Sequence, residues 1–193
     1  MANTLESGFD YANDVRDGKI EAGEFVRLAI DRHFADWGRI DNQTFRFNSA
    51  LAEHALSFFN FVSLSKGETD GGVFNCSPWQ AFTIASIFGW QVWDRERLRW
   101  KRRIRTAYIE IPKKNGKTSW AAAIGLLMQF WDAENGPEVY SAAFTREQAL
   151  QCFEEAKNMA TKSPVLNRHA KVQQWSITSK HNKGKFAPVS HDK

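Results

Sequence analysis

Residues 107–124 read AYIEIPKKNGKTSWAAAI, and the reading of this stretch decides the fold. A short apolar run, Tyr108 to Ile111, stops at Pro112. A basic turn follows, then Gly116-Lys117-Thr118, then an alanine-rich run with strong helix propensity. The order strand, basic glycine turn, helix is that of a phosphate-binding loop. Such a loop wraps polyphosphate with backbone N–H groups at a helix N-terminus, where unpaired donors and the helix dipole favour negative charge. A lysine neutralises the distal phosphates and the next hydroxyl ligates Mg²⁺. Gly116, Lys117 and Thr118 fill the last three places of G-x-x-x-x-G-K-[ST], but Ile111 holds the place of the first glycine. The other reading is an ordinary basic turn between strand and helix.

The rest of the chain supports a folded enzyme-like domain. Its 193 residues are 42% apolar and include eight tryptophans, enough for a sizeable core. The net charge of +4 permits a nucleic-acid partner without demonstrating one. Cys76 and Cys152 form no C-x-x-C, so a reducing cytoplasm is expected. The N-terminus is polar, unlike a signal peptide, and the longest apolar run, 120–131, falls short of the ~20 residues that span a membrane. Five histidines show no metal-ligand spacing, and no protein metal site is expected.

Along the chain, 1–20 reads as a flexible N-terminus and 21–72 as a helical lead-in, with KGETDGG (66–72) as the boundary. In the lead-in, 21–37 is a helix with Phe25, Leu28 and Ala29 on one face, and 48–62 is a second helix. From 73 to 193 the pattern is α/β. A helix begins at Pro78, a strand spans 106–111, and the loop and a helix over 119–131 follow. A strand spans 138–144, then a helix opened by Thr145 with Gln148 as a capping box, then short strands at 175–179 and 185–189. This predicts a layered domain with a largely parallel sheet.

Four stretches carry a family resemblance: GEFVRLAIDRHFADW (23–37), SPWQAFTIASIFGW (77–90), YIEIPKKNGKTSWAAA (108–123) and VYSAAFTREQALQCFEEAKNMATKSP (139–164). In order and spacing they resemble the N-terminal part of a tailed-phage terminase large subunit, the ATPase that packages viral DNA. The family's loop lacks the first glycine too. The resemblance implies a P-loop NTPase-type fold, incomplete here, with ATP and Mg²⁺ as ligands. Lys117 would be the phosphate lysine and Thr118 the Mg²⁺ ligand, with Lys114, Asn115 and Gly116 beside the phosphates. Lys113 stands where many members carry an arginine that acts on the γ-phosphate; it keeps the charge but loses the bidentate fork. Gln80 resembles the adenine-recognition glutamine, and its side-chain amide can donate and accept together; alone it reads as a solvated helix-start residue. The implied partners are double-stranded viral DNA, the terminase small subunit, the portal and the remainder of the large subunit, in the host bacterial cytoplasm.

The family's ATPase also needs an apolar strand ending in Asp-Glu. The run LLMQFWDAE (126–134) lies in the helix after the loop and does not qualify. The expectation is a large subunit truncated before that strand and before the nuclease acids. A second reading comes from 95–105, RERLRWKRRIR, with seven basic residues and one acid. Arg99, Lys101, Arg102, Arg103 and Arg105 would contact DNA phosphates, in a non-catalytic module with a vestigial loop. The same charges also suit a solvated strand edge. An inert remnant is the third reading.

Overall fold

The computed structural model describes residues 3–64 and 72–190, so 66–71 of the expected boundary lie outside the described residues. The chain forms two compact units. Unit 1 comprises 1–57 and 75–109, and unit 2 comprises 58–74 and 110–193. Both are discontinuous in sequence, unlike the expected linear order of lead-in and domain.

Unit 1 begins with α1 (Leu5–Arg16), within the stretch expected to be loose. Thr4 caps it by accepting from the Ser7 N–H. Its buried face is Gly8, Ala12 and Val15. A Cβ on Gly8 would lie 2.7 Å from the Phe82 backbone nitrogen, so the glycine sets how closely two helices approach. In α2 (Glu24–Trp37) the expected helix forms, but with the other face inward. Ile30, His33 and Asp36 are buried, whereas Phe25 is 84% exposed and Leu28 is 54% exposed. The sequence carries two apolar stripes, and the one with Ile30 faces the aromatic cluster.

Then come β1 (Phe45–Phe47), α3 (Ser49–Ser57), α4 (Pro78–Gly89), β2 (Trp90–Asp94) and β3 (Arg99–Arg102). The helix expected over 48–62 ends at Ser57 and tightens to a 3₁₀ turn over Phe58–Phe61, which belongs to unit 2. The strands form an antiparallel sheet in the order β1-β2-β3. Trp90 is buried, stacks on Phe45 at 5.0 Å and donates from Nε1 to His33 Nδ1 at 3.1 Å. Burial pushes the His33 imidazole down to about 4.

The expected strand over 106–111 does not form: the run has no regular secondary structure and joins neither sheet. Strand propensity supplies side chains for a pleated surface, but a ladder also needs a partner backbone.

Unit 2 holds α5 (Lys117–Phe130), β4 (Glu138–Ala143), α6 (Arg146–Lys162), α7 (Pro164–His169), β5 (Ala170–Val172), β6 (Ile177–Ser179) and β7 (Lys185–Ser190). The sheet order is β4-β7-β6-β5. Only β4 and β7 pair in parallel; β5–β6 and β6–β7 are antiparallel. The fold is α/β as expected, with less parallel pairing. Short turns join β5, β6 and β7, and such turns permit only antiparallel neighbours. β5, three residues long, had no counterpart in the sequence reading. Phe186, Ile177, Phe153, Met159, Leu126 and Leu127 form the buried core. Gln129 on α5 donates from Nε2 to Ile177 O at 2.6 Å, and Asn182 Nδ2 donates to Gln129 O at 2.7 Å. Thr145 caps α6, accepting from the Gln148 N–H at 3.3 Å, which is one half of the capping box expected there.

Candidate nucleotide-binding loop

Pro112 closes the apolar run, and Lys113 and Lys114 make the turn. Lys114 and Gly116 both take positive φ, near 70°. Gly116 is the N-cap of α5, in the left-handed region that favours glycine. No side chain caps this helix. The first-turn N–H groups of a helix have no intrahelical partner, so those of Lys117, Thr118 and Ser119 are presented at the loop.

The loop borders an open, shallow cradle of about 260 Å³, lined by Pro112, Lys113, Lys114, Gly116, Lys117, Thr118 and Ser119. The three lysines and Thr118 are exposed. A Cβ on Gly116 would meet nothing within 4 Å, so this residue is needed for its backbone angle and not for space. The cradle has lysine ammonium groups, a hydroxyl and a helix N-terminus, which together match the charge and donor needs of a polyphosphate. Asn115 lies in the turn between the lysines and Gly116.

Two residues that the sequence reading passed over support the loop. Ser119 Oγ donates to Glu155 Oε1 at 3.0 Å, and Glu155 on α6 is 2% exposed. This bond ties the first turn of α5 to α6. The available signal was a glutamate beside Ala156 on the apolar face of an otherwise regular helix.

Gln80 lies in unit 1, buried at the third position of α4. Its Oε1 accepts from the Ser77 N–H at 2.8 Å, half of a capping box. It is thus neither solvated nor in the same unit as the loop.

The basic cluster also lies in unit 1, around the β2–β3 hairpin. Lys101 pairs with Asp94 at 3.1 Å. Arg103 pairs with the buried Asp36, which also binds Arg39. The Arg102 guanidinium sits 4.3 Å from the centre of the Phe88 ring. Arg99 and Arg105 are exposed. The structure therefore divides the five residues read as phosphate contacts into three engaged by the unit's own groups and two open to solvent.

His169 and His181, 12 apart in sequence, meet with Nδ1 and Nε2 at 2.9 Å. Among the described residues no group of three or more His, Cys, Asp or Glu could hold a metal ion. Burial raises the Cys76 thiol to about 12 and the Cys152 thiol to about 11, so both stay protonated. Residues 126–130 are helical, as expected for the rejected strand. No helix among the described residues is long and apolar enough to cross a membrane.

An uncapped helix behind a left-handed glycine, three lysines around it and a parallel β4–β7 pair define an α/β unit of the phosphate-loop type. The profile of the family described as terminase large subunit, ATPase domain, matches residues 78–193, more than half of the sequence, and the chain belongs to that family. The fold is similar to that in the crystal structure of the HK97 bacteriophage large terminase, with a TM-score of 0.59 and 21% identity. The match covers 74% of this chain and 28% of that one, so the sequence spans under a third of the terminase it resembles. No curated protein matches the chain.

Proposed function

We propose that this chain is the nucleotide-binding part of a phage terminase large subunit and that its loop holds Mg²⁺-ATP. The observation that carries this reading is the cradle at the α5 N-terminus, with Lys113, Lys114, Lys117 and Thr118 on its wall. Lys117 neutralises the β and γ phosphates, and the Thr118 hydroxyl is the Mg²⁺ ligand. Backbone N–H groups of Gly116 and the first turn of α5 donate to phosphate oxygens, with Lys114 and Asn115 shaping the turn. Lys113 supplies charge toward the γ-phosphate as a point charge. ATP hydrolysis in the family's motor moves double-stranded viral DNA into a procapsid in the bacterial cytoplasm, with the small subunit and portal as partners. Mg²⁺ supplies charge neutralisation between the phosphates when bound.

Calorimetry with Mg²⁺-ATP on the wild-type chain and on Lys117→Ala tests the reading. The expected result is measurable binding in the wild type and at least a tenfold loss in a variant that remains folded. Equal affinity in both would overturn the site.

A further inference from the structure

A stretch without acids, between Glu155 and Asp192, gathers most of its cations in one region. Residues 156–191 hold seven of the chain's 26 Lys and Arg and none of its 22 Asp and Glu, so the remaining residues carry net charge −3. Five of the seven lie close together in sequence and all five are exposed: Arg168 in the last turn of α7, and Lys171, Lys180, Lys183 and Lys185 on the β5–β6–β7 meander and its turns. Strand register places Lys171, Thr178 and Lys185 in one row across the three strands, on a single face. At the open end of the β5–β6 hairpin, Lys180 Nζ donates to Arg168 O at 3.0 Å beside the His169–His181 pair.

Among the described residues none of the five is in an ion pair. Glu138, beside Lys185 in the β4–β7 register, is the acid on the next strand, and the Tyr140 hydroxyl donates to it. Charge on an edge strand guards against unwanted pairing. That accounts for Lys171 on β5, but Lys185 is on an interior strand and Lys180 and Lys183 are in a turn.

We propose that this meander is a docking surface for the phosphate backbone of duplex DNA. Four of the five cations are lysines, compact charges on flexible stems that suit backbone contact and lack the bidentate fork of base readout. Binding is accordingly independent of sequence and steeply dependent on salt. The proposal names the DNA surface within the reading above, but stands on charge and exposure apart from the loop.

The test is fluorescence anisotropy of a labelled mixed-sequence 25-base-pair duplex, titrated with the full chain from 50 to 200 mM NaCl. The variants are Lys171→Ala/Lys180→Ala/Lys183→Ala, the single Lys183→Ala, Arg95→Ala/Arg97→Ala/Arg99→Ala in unit 1, and Lys117→Ala. For the wild type, log affinity against log salt should have a slope of about −3 to −4. The meander triple variant should bind at least tenfold more weakly, with a slope shallower by about 2 to 3. Its melting temperature should not change, and Lys183→Ala should lose about fivefold. Lys117→Ala should keep DNA affinity, so failure of the nucleotide reading and failure of this one are read separately. Unchanged binding by Lys183→Ala and the meander triple variant overturns the proposal. So does loss confined to the unit 1 variant. Competition by poly-glutamate as strong as by unlabelled duplex also overturns it, in favour of an acidic protein segment.

Discussion

Two hairpins of this molecule are basic, and they use their charge differently. Around β2–β3 the cations are dense in sequence, seven between Arg95 and Arg105, yet acids and rings of the same unit engage Lys101, Arg102 and Arg103. Around β5–β6 the cations are spaced over 18 residues, and none is in an ion pair among the described residues. Density along a sequence therefore does not measure available charge. A guanidinium facing a buried carboxylate is part of the fold, whereas an exposed ammonium outside any ion pair keeps its field for a partner.

The comparison breaks most visibly at Arg103. Arg103→Ala leaves Asp36, 3% exposed, with only the solvent-facing Arg39, and should destabilise unit 1 by about 4 kcal/mol in urea unfolding. DNA affinity of the folded fraction should not move. If Arg103→Ala were as stable as the wild type, the β2–β3 cations would not be structural.

Next in size is the pH response of the same unit. His33 titrates near 4 when folded and near 6.5 when unfolded, mainly through burial, with Asp36 raising and Arg32 lowering it. The unfolded chain binds the proton first, so stability is full above about pH 6.5 and falls as pH drops toward 4, by on the order of 3 kcal/mol. Thermal melts at pH 7 and 4.5 should show the loss, and His33→Leu should flatten it. An equal loss in that variant would place the acid sensitivity elsewhere.

Lys171→Ala should weaken duplex binding about fivefold, close to 1 kcal/mol, with no change in melting temperature. The smallest effect belongs to Arg97→Ala, an exposed position on the denser hairpin. Stability should stay within about 0.5 kcal/mol and DNA affinity should not change. A larger DNA effect at Arg97 than at Lys171 would reverse the assignment of roles.

Local chemistry made much of unit 2 legible in the sequence. Thr145 capping, the helix after Lys117 and the strand at 138 each depend on neighbours within a few residues, and each formed within two residues of its expected bounds. The loop was legible for the same reason, since Gly116 needs only its own φ and the start of α5. What the sequence hid was relational. Two stripes on α2 satisfy helical spacing equally, and only the aromatic cluster selects the one with His33. The run at 106–111 has strand composition, but pairing is a property of two backbones. Arg103 and Asp36 lie 67 residues apart, and no local pattern announces their contact. The acid-free stretch, by contrast, could have been counted from the sequence. A signal made of missing residues is simply harder to notice than a cluster of present ones.

α5 is a rod of 14 residues, about 20 Å long at 1.5 Å per residue. One end carries the Gly116 loop. Near the other, Gln129 and Asn182 hitch it to β6 and to the turn before β7. A helix of this length resists bending, so these bonds hold the turn before β7 at a fixed distance from the start of α5. In mechanical terms α5 is a strut, seated at the Gly116 turn and braced at the turn before β7.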